Sequence, residues 1–108
     1  MTKMNLTEAR NSSIDQASLE AAVEAVTNAL GDDADLWVNA DGEKISVYGD
    51  REQWSAIVTV KSRSGNDFNF SAWGSVTDRF GDWYHEESGE GNADFMAATA
   101  AWVVDNAG

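Results

Sequence analysis

Residues 80–95, FGDWYHEESGEGNADF, hold the side chains of this chain that are best suited to do chemistry. The stretch contains five carboxylates and the only histidine, His85, which directly precedes Glu86 and Glu87. A histidine beside carboxylates can act as a general base, as a zinc ligand or as part of a charged binding surface. These three roles require different partner residues elsewhere in the sequence.

The sequence lacks the ligands that common metal-binding motifs require. A zinc hydrolase helix requires two histidines four residues apart, whereas this chain has one histidine and no cysteine. A calcium loop of the EF-hand type aligned on Gly42 would place Trp37 at its first ligand position and Tyr48 at its last. The sequence therefore predicts neither a metal nor another cofactor.

Catalytic arrangements are also incomplete. No serine stands between glycines at a strand-turn-helix elbow, where it could serve as a nucleophile for His85. The GEGN sequence is a poor phosphate-binding loop, because Glu90 and Asp94 would repel a phosphate there. A chain of 108 residues also has little room for an enclosed active site beside its core. We predict that the protein is not an enzyme.

Acidic residues dominate the charge of the chain. Nineteen acidic and seven basic residues give a net charge of −12. Residues 12–50, the first acidic block, carry nine acids and one lysine, and residues 76–108, the second acidic block, carry seven acids and one arginine. Such a surface repels nucleic acid and anionic lipid and attracts basic partners. We expect no direct nucleic-acid binding and no membrane association.

Two helices are predicted, one towards each end of the chain. In SSIDQASLEAAVEAVTNALG, apolar residues recur at helical spacing, and Gly31 is expected to end the helix in the left-handed conformation. Its start is open between a capping box from Ser13 to Gln16 and an N-cap at Asp15. The second helix, ADFMAATAAWVVDNA, is expected to begin after Asn92. It should present Phe95, Ala98 and Trp102, with Met96, Thr99 and Val103 beside them.

Two hairpins are predicted between these helices. The first, DLWVNADGEKISVYG, contains Asp41-Gly42, the dipeptide that two-residue type I′ turns prefer. The second joins QWSAIVTVKS to DFNFSAWGS through the three-residue loop SGN. These turns predict four cross-strand pairs: Val38 with Ile45, Leu36 with Val47, Val60 with Phe70, and Val58 with Ala72.

The segment after the second hairpin has helical spacing. Ser75 and Asp78 are candidate caps of a short helix, in which Asp78, Asp82 and Glu86 would lie above one another on one side. The following EESGEGN is expected to be a loop. This interpretation places three carboxylates of the second acidic block in one stripe.

The expected fold class is α+β, with a four-stranded antiparallel sheet of two hairpins packed against N- and C-terminal helices. Residues 1–12 lack periodicity and are expected to form a flexible N-terminal arm, and residues 13–108 a single domain. The sheet face away from the helices carries four apolar side chains, Trp37, Tyr48, Ile57 and Trp73. A terminal helix or long loop covers them, or they lie singly on the surface, or they form a partner or self-association face. The protein is accordingly a monomer or a homodimer.

In its size, acidity and lack of cysteine, the whole chain resembles the small anti-defence proteins of phages and plasmids, the DNA mimics and anti-CRISPR proteins. The resemblance implies an inhibitor that binds a basic, nucleic-acid-binding protein, such as a CRISPR effector or a nuclease, and blocks its DNA site. It would act in the cytoplasm, that of the host cell if a phage encodes it. The expected partner-binding residues are Asp32, Asp33, Asp35, Asp41, Glu43, Asp78, Asp82, Trp83, Tyr84, Glu86, Glu87 and Glu90.

Three alternatives use the same features differently. An immunity protein or antitoxin would neutralise a basic nuclease through the same acidic surface. A small acidic module of the secretion-chaperone kind would bind a client through the apolar sheet face. An acidic surface could also be an adaptation to high salt that involves no partner.

Overall fold

A computed structural model of the protein describes residues 2–108, with side chains from residue 3 onward. Within these residues, six strands form one antiparallel sheet whose spatial order is the order of the chain, and three helices accompany it. The elements are β1 (Thr2–Met4), α1 (Leu6–Arg10), α2 (Gln16–Leu30), β2 (Asp35–Asp41), β3 (Lys44–Arg51), β4 (Trp54–Ser64), β5 (Asp67–Asp78), β6 (Gly81–Gly91) and α3 (Ala93–Ala107).

The structure is α+β with helices towards both ends of the chain, but the predicted four-stranded sheet is wrong. The four predicted strands are β2 to β5, and β1 and β6 extend the sheet at its two edges. A strand of three residues such as β1 is too short to show an alternating pattern. In β6 the glycines and charged side chains conceal the alternation, because only a few of its positions are apolar.

A hairpin replaces the short helix expected from Ser75 onward. Asp78 pairs with Gly81, so that Arg79 and Phe80 form a two-residue turn between β5 and β6. The Asp78 carboxylate accepts a hydrogen bond from the backbone N–H of Phe80 at 2.8 Å, as aspartate commonly does in turns. The EESGEGN sequence, expected to be a loop, belongs to β6.

The turn of the first hairpin lies one residue later than predicted. Gly42 and Glu43 form the two-residue loop, whereas Asp41 is the last residue of β2. Gly42 has a φ of 63° at the first loop position, where a type II′ turn requires glycine. Each residue of β2 therefore pairs two positions further along β3 than predicted, for example Val38 with Val47. Because the shift is even, the predicted side chains still face the core.

The pairs predicted for the second hairpin are confirmed. Val60 lies opposite Phe70, and the next predicted pair along the strands is also present. The loop itself has two residues, because Ser64 pairs with Asp67. An irregularity in the pairing at Lys61 adds the extra residue that the three-residue loop was expected to supply.

Of the two predicted starts of α2, the structure has the one with Asp15 as the N-cap residue, and not the capping box from Ser13 to Gln16. Its carboxylate accepts a hydrogen bond from the Ser18 hydroxyl at 2.7 Å. At the other end of the helix, Gly31 is the C-cap with φ 103° and ψ 167°, an extended conformation at positive φ and not the predicted left-handed helical one. The predicted cap of α3 is confirmed, since the Asn92 side chain accepts a hydrogen bond from the N–H of Phe95 at 2.9 Å.

The segment expected to be a flexible arm, residues 1–12, contains β1 and α1 in the structure; Met1 lies outside the described residues. A capping box starts α1: the Asn5 side chain accepts from the N–H of Glu8 at 2.8 Å, and the Glu8 carboxylate accepts from the N–H of Asn5 at 3.1 Å. Ala9 is fully buried in the core. Elements of three and five residues are too short for periodicity to predict them.

The two long helices cover one face of the sheet. Helix α2 packs against β3 and β4, and α3 packs against β5, β6 and α2. A Cβ atom at Gly74 would lie 3.0 Å from the backbone nitrogen of Val104, so a glycine in β5 is what lets α3 come this close. One cluster of buried side chains joins the helices to the sheet. Its largest fully buried members include Phe70, Leu19, Ile45, Met96 and Val26.

Candidate interaction site along β6

The uncovered sheet face carries the predicted row of apolar side chains. Register places Trp37, Tyr48, Ile57 and Trp73 side by side across β2 to β5, and both long helices pack on the other face, so neither of these helices covers the row. The row is nevertheless half-buried, because its members cover one another. The rings of Trp37 and Tyr48 stack with centroids 5.2 Å apart, and the Lys3 ammonium lies 5.2 Å from the Trp37 ring.

The most exposed aromatic side chains of the described residues lie on or against β6. On the helix side of the sheet, Trp102 of α3 contacts His85 edge to face with centroids 4.7 Å apart. Phe95 of α3 lies over Gly89, where an added Cβ would come within 3.1 Å of its ring. The exposed fractions are 75% for Phe80, 51% for Trp83, 70% for Tyr84 and 49% for both Phe95 and Trp102.

Only part of the predicted apolar side of α3 meets the core. Met96 and Val103 of that set are buried, whereas Phe95, Ala98 and Trp102 are exposed. Both stripes have helical spacing, so the sequence does not decide which one meets the sheet. Phe95 and Trp102 are exposed because β6 is the last strand at this edge, and no further strand in the described chain lies beneath them.

Three carboxylates form a line on the uncovered side of β6, which we call the β6 acidic row: Asp82, Glu86 and Glu90. Glu86 lies directly opposite Trp73, whose side chain is on that face, and residues four apart in a strand share a face. Successive members are therefore about 13 Å apart along the strand. Within residues 2–108 none of the three forms an ion pair; Asp82 accepts a hydrogen bond from the Thr77 hydroxyl at 2.8 Å.

The predicted stripe of Asp78, Asp82 and Glu86 on a helix is wrong. Asp82 and Glu86 do share a face, because a spacing of four fits a strand as well as a helix. Asp78 belongs to β5, on the other side of the turn, where its carboxylate accepts the hydrogen bond from Phe80. Glu90 takes the place that the helical interpretation gave to Asp78.

The twelve predicted partner-binding residues do not form one surface. Asp32, Asp33 and Asp35 lie at the start of β2, whereas Asp41 and Glu43 lie at its other end, about 20 Å away for a strand of this length. The other seven lie on the β5–β6 hairpin. The structure thus places these seven on one hairpin and separates the first five from it. Within the hairpin, Asp82, Tyr84, Glu86 and Glu90 lie on the uncovered side of β6, and Trp83 and Glu87 lie on the helix side.

The histidine of the opening stretch lies on the helix side of β6. The His85 ring packs against Trp102, and its Nε2 atom is buried without a hydrogen-bond partner in residues 2–108, 3.8 Å from a Glu87 carboxylate oxygen. In the same part of the chain, no group of three or more histidine, cysteine, aspartate or glutamate side chains is arranged to hold a metal ion.

Carboxylates of the first acidic block meet arginines within the protein. Arg63 of β4 contacts Asp15 at 2.6 Å, and this hydrogen bond lowers the pKa of Asp15 to about 2, with a smaller contribution from the Ser18 hydroxyl. Arg10 contacts Glu20 at 2.9 Å and likewise lowers the pKa of Glu20. The arginines partly neutralise the carboxylates of Asp15 and Glu20, whereas the β6 acidic row has no such partner in residues 2–108.

Comparison with known proteins found no matching family model, no matching curated protein and no matching solved structure. None of the three helices in residues 2–108 has the length and apolar character that crossing a membrane would require. The geometry and charge of β6 are therefore the basis on which a function can be inferred.

Proposed function

We propose that the protein is a non-enzymatic, acidic inhibitor that binds a basic, nucleic-acid-binding protein and blocks its DNA site. The observation that supports this most directly is the β6 acidic row, three carboxylates on one side of one strand that have no cation of their own among the described residues. Lysine and arginine side chains that hold DNA phosphates can hold such carboxylates instead.

Exposed aromatic side chains beside the acids supply the second part of a binding surface. Phe80, Trp83 and Tyr84 lie at or next to the β5–β6 turn and line a cavity of about 590 Å³ together with Asp78. Aromatic side chains that become buried in an interface contribute a large share of its binding energy. The hairpin thus combines the charge that attracts a basic partner with apolar groups that can stabilise the complex.

The whole-molecule charge supports the same partner. The protein measures 41 Å along its longest axis, and duplex DNA of that length carries about 24 phosphate charges. A net charge of −12 is about half of that value, and the attraction that it exerts can raise association rates about 10- to 1,000-fold at low salt. A cationic groove would therefore attract the protein as it attracts DNA.

Displacement of DNA tests the proposal. A labelled duplex is bound to each of a panel of basic DNA-binding proteins that includes CRISPR effectors and nucleases, and the protein is titrated in at several salt concentrations. We expect it to displace the duplex from at least one of them, at a stoichiometric ratio and less effectively as salt rises. Failure to displace DNA from every one, or displacement that salt does not weaken, would contradict the proposal.

An immunity protein or antitoxin would use the same surface against a nuclease, and the displacement panel distinguishes it. If only a nuclease is displaced from DNA, and its cleavage stops at one equivalent of the protein, the neutralising role is favoured. Displacement of a CRISPR effector favours the anti-defence role.

The apolar row on the uncovered face supports a second candidate, a chaperone-like module that self-associates or binds a client there. Trp37, Tyr48, Ile57 and Trp73 are adjacent on four neighbouring strands. Light scattering tests it: a dimer is expected, and Trp73→Ser should convert it to a monomer while the displacement of DNA is retained. A monomer at all concentrations counts against this second candidate.

A further inference from the structure

One long edge of the sheet is unpaired. Within residues 2–108, β6 has 11 residues and pairs with β5 alone, so the backbone N–H and C=O groups of its alternate residues are unpaired on the other side over about 36 Å. At the opposite edge, β1 pairs with β2 over three residues. An exposed strand of this length is a ready template for a further strand, because unpaired backbone groups gain hydrogen bonds when one is added.

Aromatic side chains beside the same edge are only half covered on the helix side of the sheet. Phe95 and Trp102 are seven residues apart, which places them on one side of α3, and both contact β6 while half of each remains exposed. Trp83 of β6 lies on the same side of the sheet and is equally exposed. A strand added beyond β6 would find apolar partners on its helix side.

The other side of that strand would meet the β6 acidic row. In an added strand, side chains directly opposite Asp82, Glu86 and Glu90 would lie about 5 Å away, at the distance where opposite charges stabilise a pair and like charges destabilise it. Lysine or arginine is therefore favoured at alternating positions on this side. The uncovered side of β6 thus favours basic residues opposite its three carboxylates, and the helix side offers apolar contact from Trp83, Phe95 and Trp102 beside a single carboxylate, Glu87.

We propose that β6 accepts a seventh strand from its partner, an extended segment in which lysines or arginines alternate with apolar residues. The inference rests on the proposed function for the basic character of the partner, and it adds the way in which the partner is held. A second copy of this chain fits less well, because pairing β6 with β6 would place the carboxylates of one acidic row beside those of the other.

Synthetic peptides test the pairing directly. An 11-residue peptide with alternating lysine and valine is compared with a peptide of the same composition in which lysines and valines are grouped. A third peptide keeps the alternating sequence but carries N-methyl groups on alternate backbone nitrogens. Affinity is measured by calorimetry, and hydrogen exchange reports on the amides of β6. We expect the alternating peptide to bind at least about 10-fold more tightly than either control and to protect β6 amides.

Substitutions on each side of β6 test which side contributes apolar contact and which contributes charge contact to peptide binding. Trp102→Ala should weaken the alternating peptide several-fold without changing affinity for the grouped one, since it removes apolar contact only. Glu86→Lys should weaken both peptides, and Glu24→Lys, an exposed site on α2, serves as the control for net charge. Circular dichroism melts confirm that each variant folds.

The outcomes separate this inference from the proposed function. Equal affinity for all three peptides would overturn strand addition while leaving a basic partner in place. If no peptide binds and no basic protein is displaced from DNA, both proposals fail. A concentration-dependent dimer in which β6 amides are protected without any peptide would overturn the inference in favour of a second copy.

Discussion

The two acidic blocks use their carboxylates differently. Three of the nine acids of the first block, all in or next to α2, pair with arginines from other elements, whereas the β6 acidic row of the second block has no such partner among the described residues. Acids that look alike in the sequence are therefore partly engaged within the protein in one region and unpaired in the other. The internal pairs are Asp15 with Arg63, Glu20 with Arg10, and Asp33 with Arg51.

The largest expected difference between the blocks is in partner binding. The triple variant Asp82→Lys, Glu86→Lys, Glu90→Lys should bind the DNA-binding protein identified in the displacement experiment about 100-fold more weakly. Each lost charge contact contributes roughly 1 kcal/mol to this difference. The matched triple variant replaces Asp32, Asp41 and Glu43 by lysine, with the same change in net charge. At physiological salt it should retain affinity within about threefold, because these residues lie outside the β5–β6 hairpin and charges more than about 8 Å from the contact are largely screened. Equal losses in the two variants would mean that net charge alone governs binding.

Substitutions in the first block should lower the free energy of unfolding more than substitutions in the β6 acidic row. Asp15→Ala removes the contacts to Arg63 and Ser18 and should lower the free energy of unfolding by about 1 kcal/mol, a modest value because solvent screens this part-exposed pair. Glu90→Ala should change it by less than about 0.5 kcal/mol. Urea denaturation of the two variants measures both values. A loss at Glu90 as large as at Asp15 would contradict the division of roles between the blocks.

Acid should remove the contribution of Asp15 specifically. Its pKa is lowered from an ordinary 3.8 to about 2 in the folded protein, so the stabilisation is fully present above pH 4 and is lost as pH falls towards 2. The difference in unfolding free energy between the protein and Asp15→Asn should therefore be constant from pH 7 to 5 and shrink below pH 4. A difference that stays unchanged down to pH 2 would show that the carboxylate charge does not contribute.

The smallest expected effect is repulsion within the second block. Replacing Glu86 and Glu90 together by glutamine should raise the free energy of unfolding by about 0.3 kcal/mol at low salt, since two exposed like charges are removed. At 1 M NaCl the gain should vanish, because the screening length falls to about 3 Å. Thermal melts at two salt concentrations measure it, with the double variant Asp32→Asn, Asp41→Asn as the matched control. A gain that persists in high salt would have a cause other than charge.

Strong periodicity is what made part of this fold predictable. The apolar spacing of α2 and the alternating strands β4 and β5 identify their buried faces, and the pairing of Val60 with Phe70 follows from parity. β6 could not be identified this way, because Phe80, Trp83 and Tyr84 also have helical spacing. Asp82, Glu86 and Glu90 recur every four residues, which fits one face of a helix and one face of a strand equally well.

The candidate site could be predicted only where it is local in sequence. The candidate residues from Asp78 to Glu90 are close along the chain and lie on one hairpin, whereas those around Asp32 and Asp41 share only their acidity with them. The exposure of Phe95 and Trp102 depends on β6 being the last strand of the sheet, a long-range property.

The order of the sheet has a consequence for how the chain folds. Each strand from β3 to β6 follows its pairing partner after a turn of two residues, so the chain entropy lost in forming each pair is small. Proteins dominated by such local pairings fold faster than those in which distant segments must meet. The sheet can therefore grow one hairpin at a time, and the packing of α3 against α2 is the step that must wait for both ends of the chain.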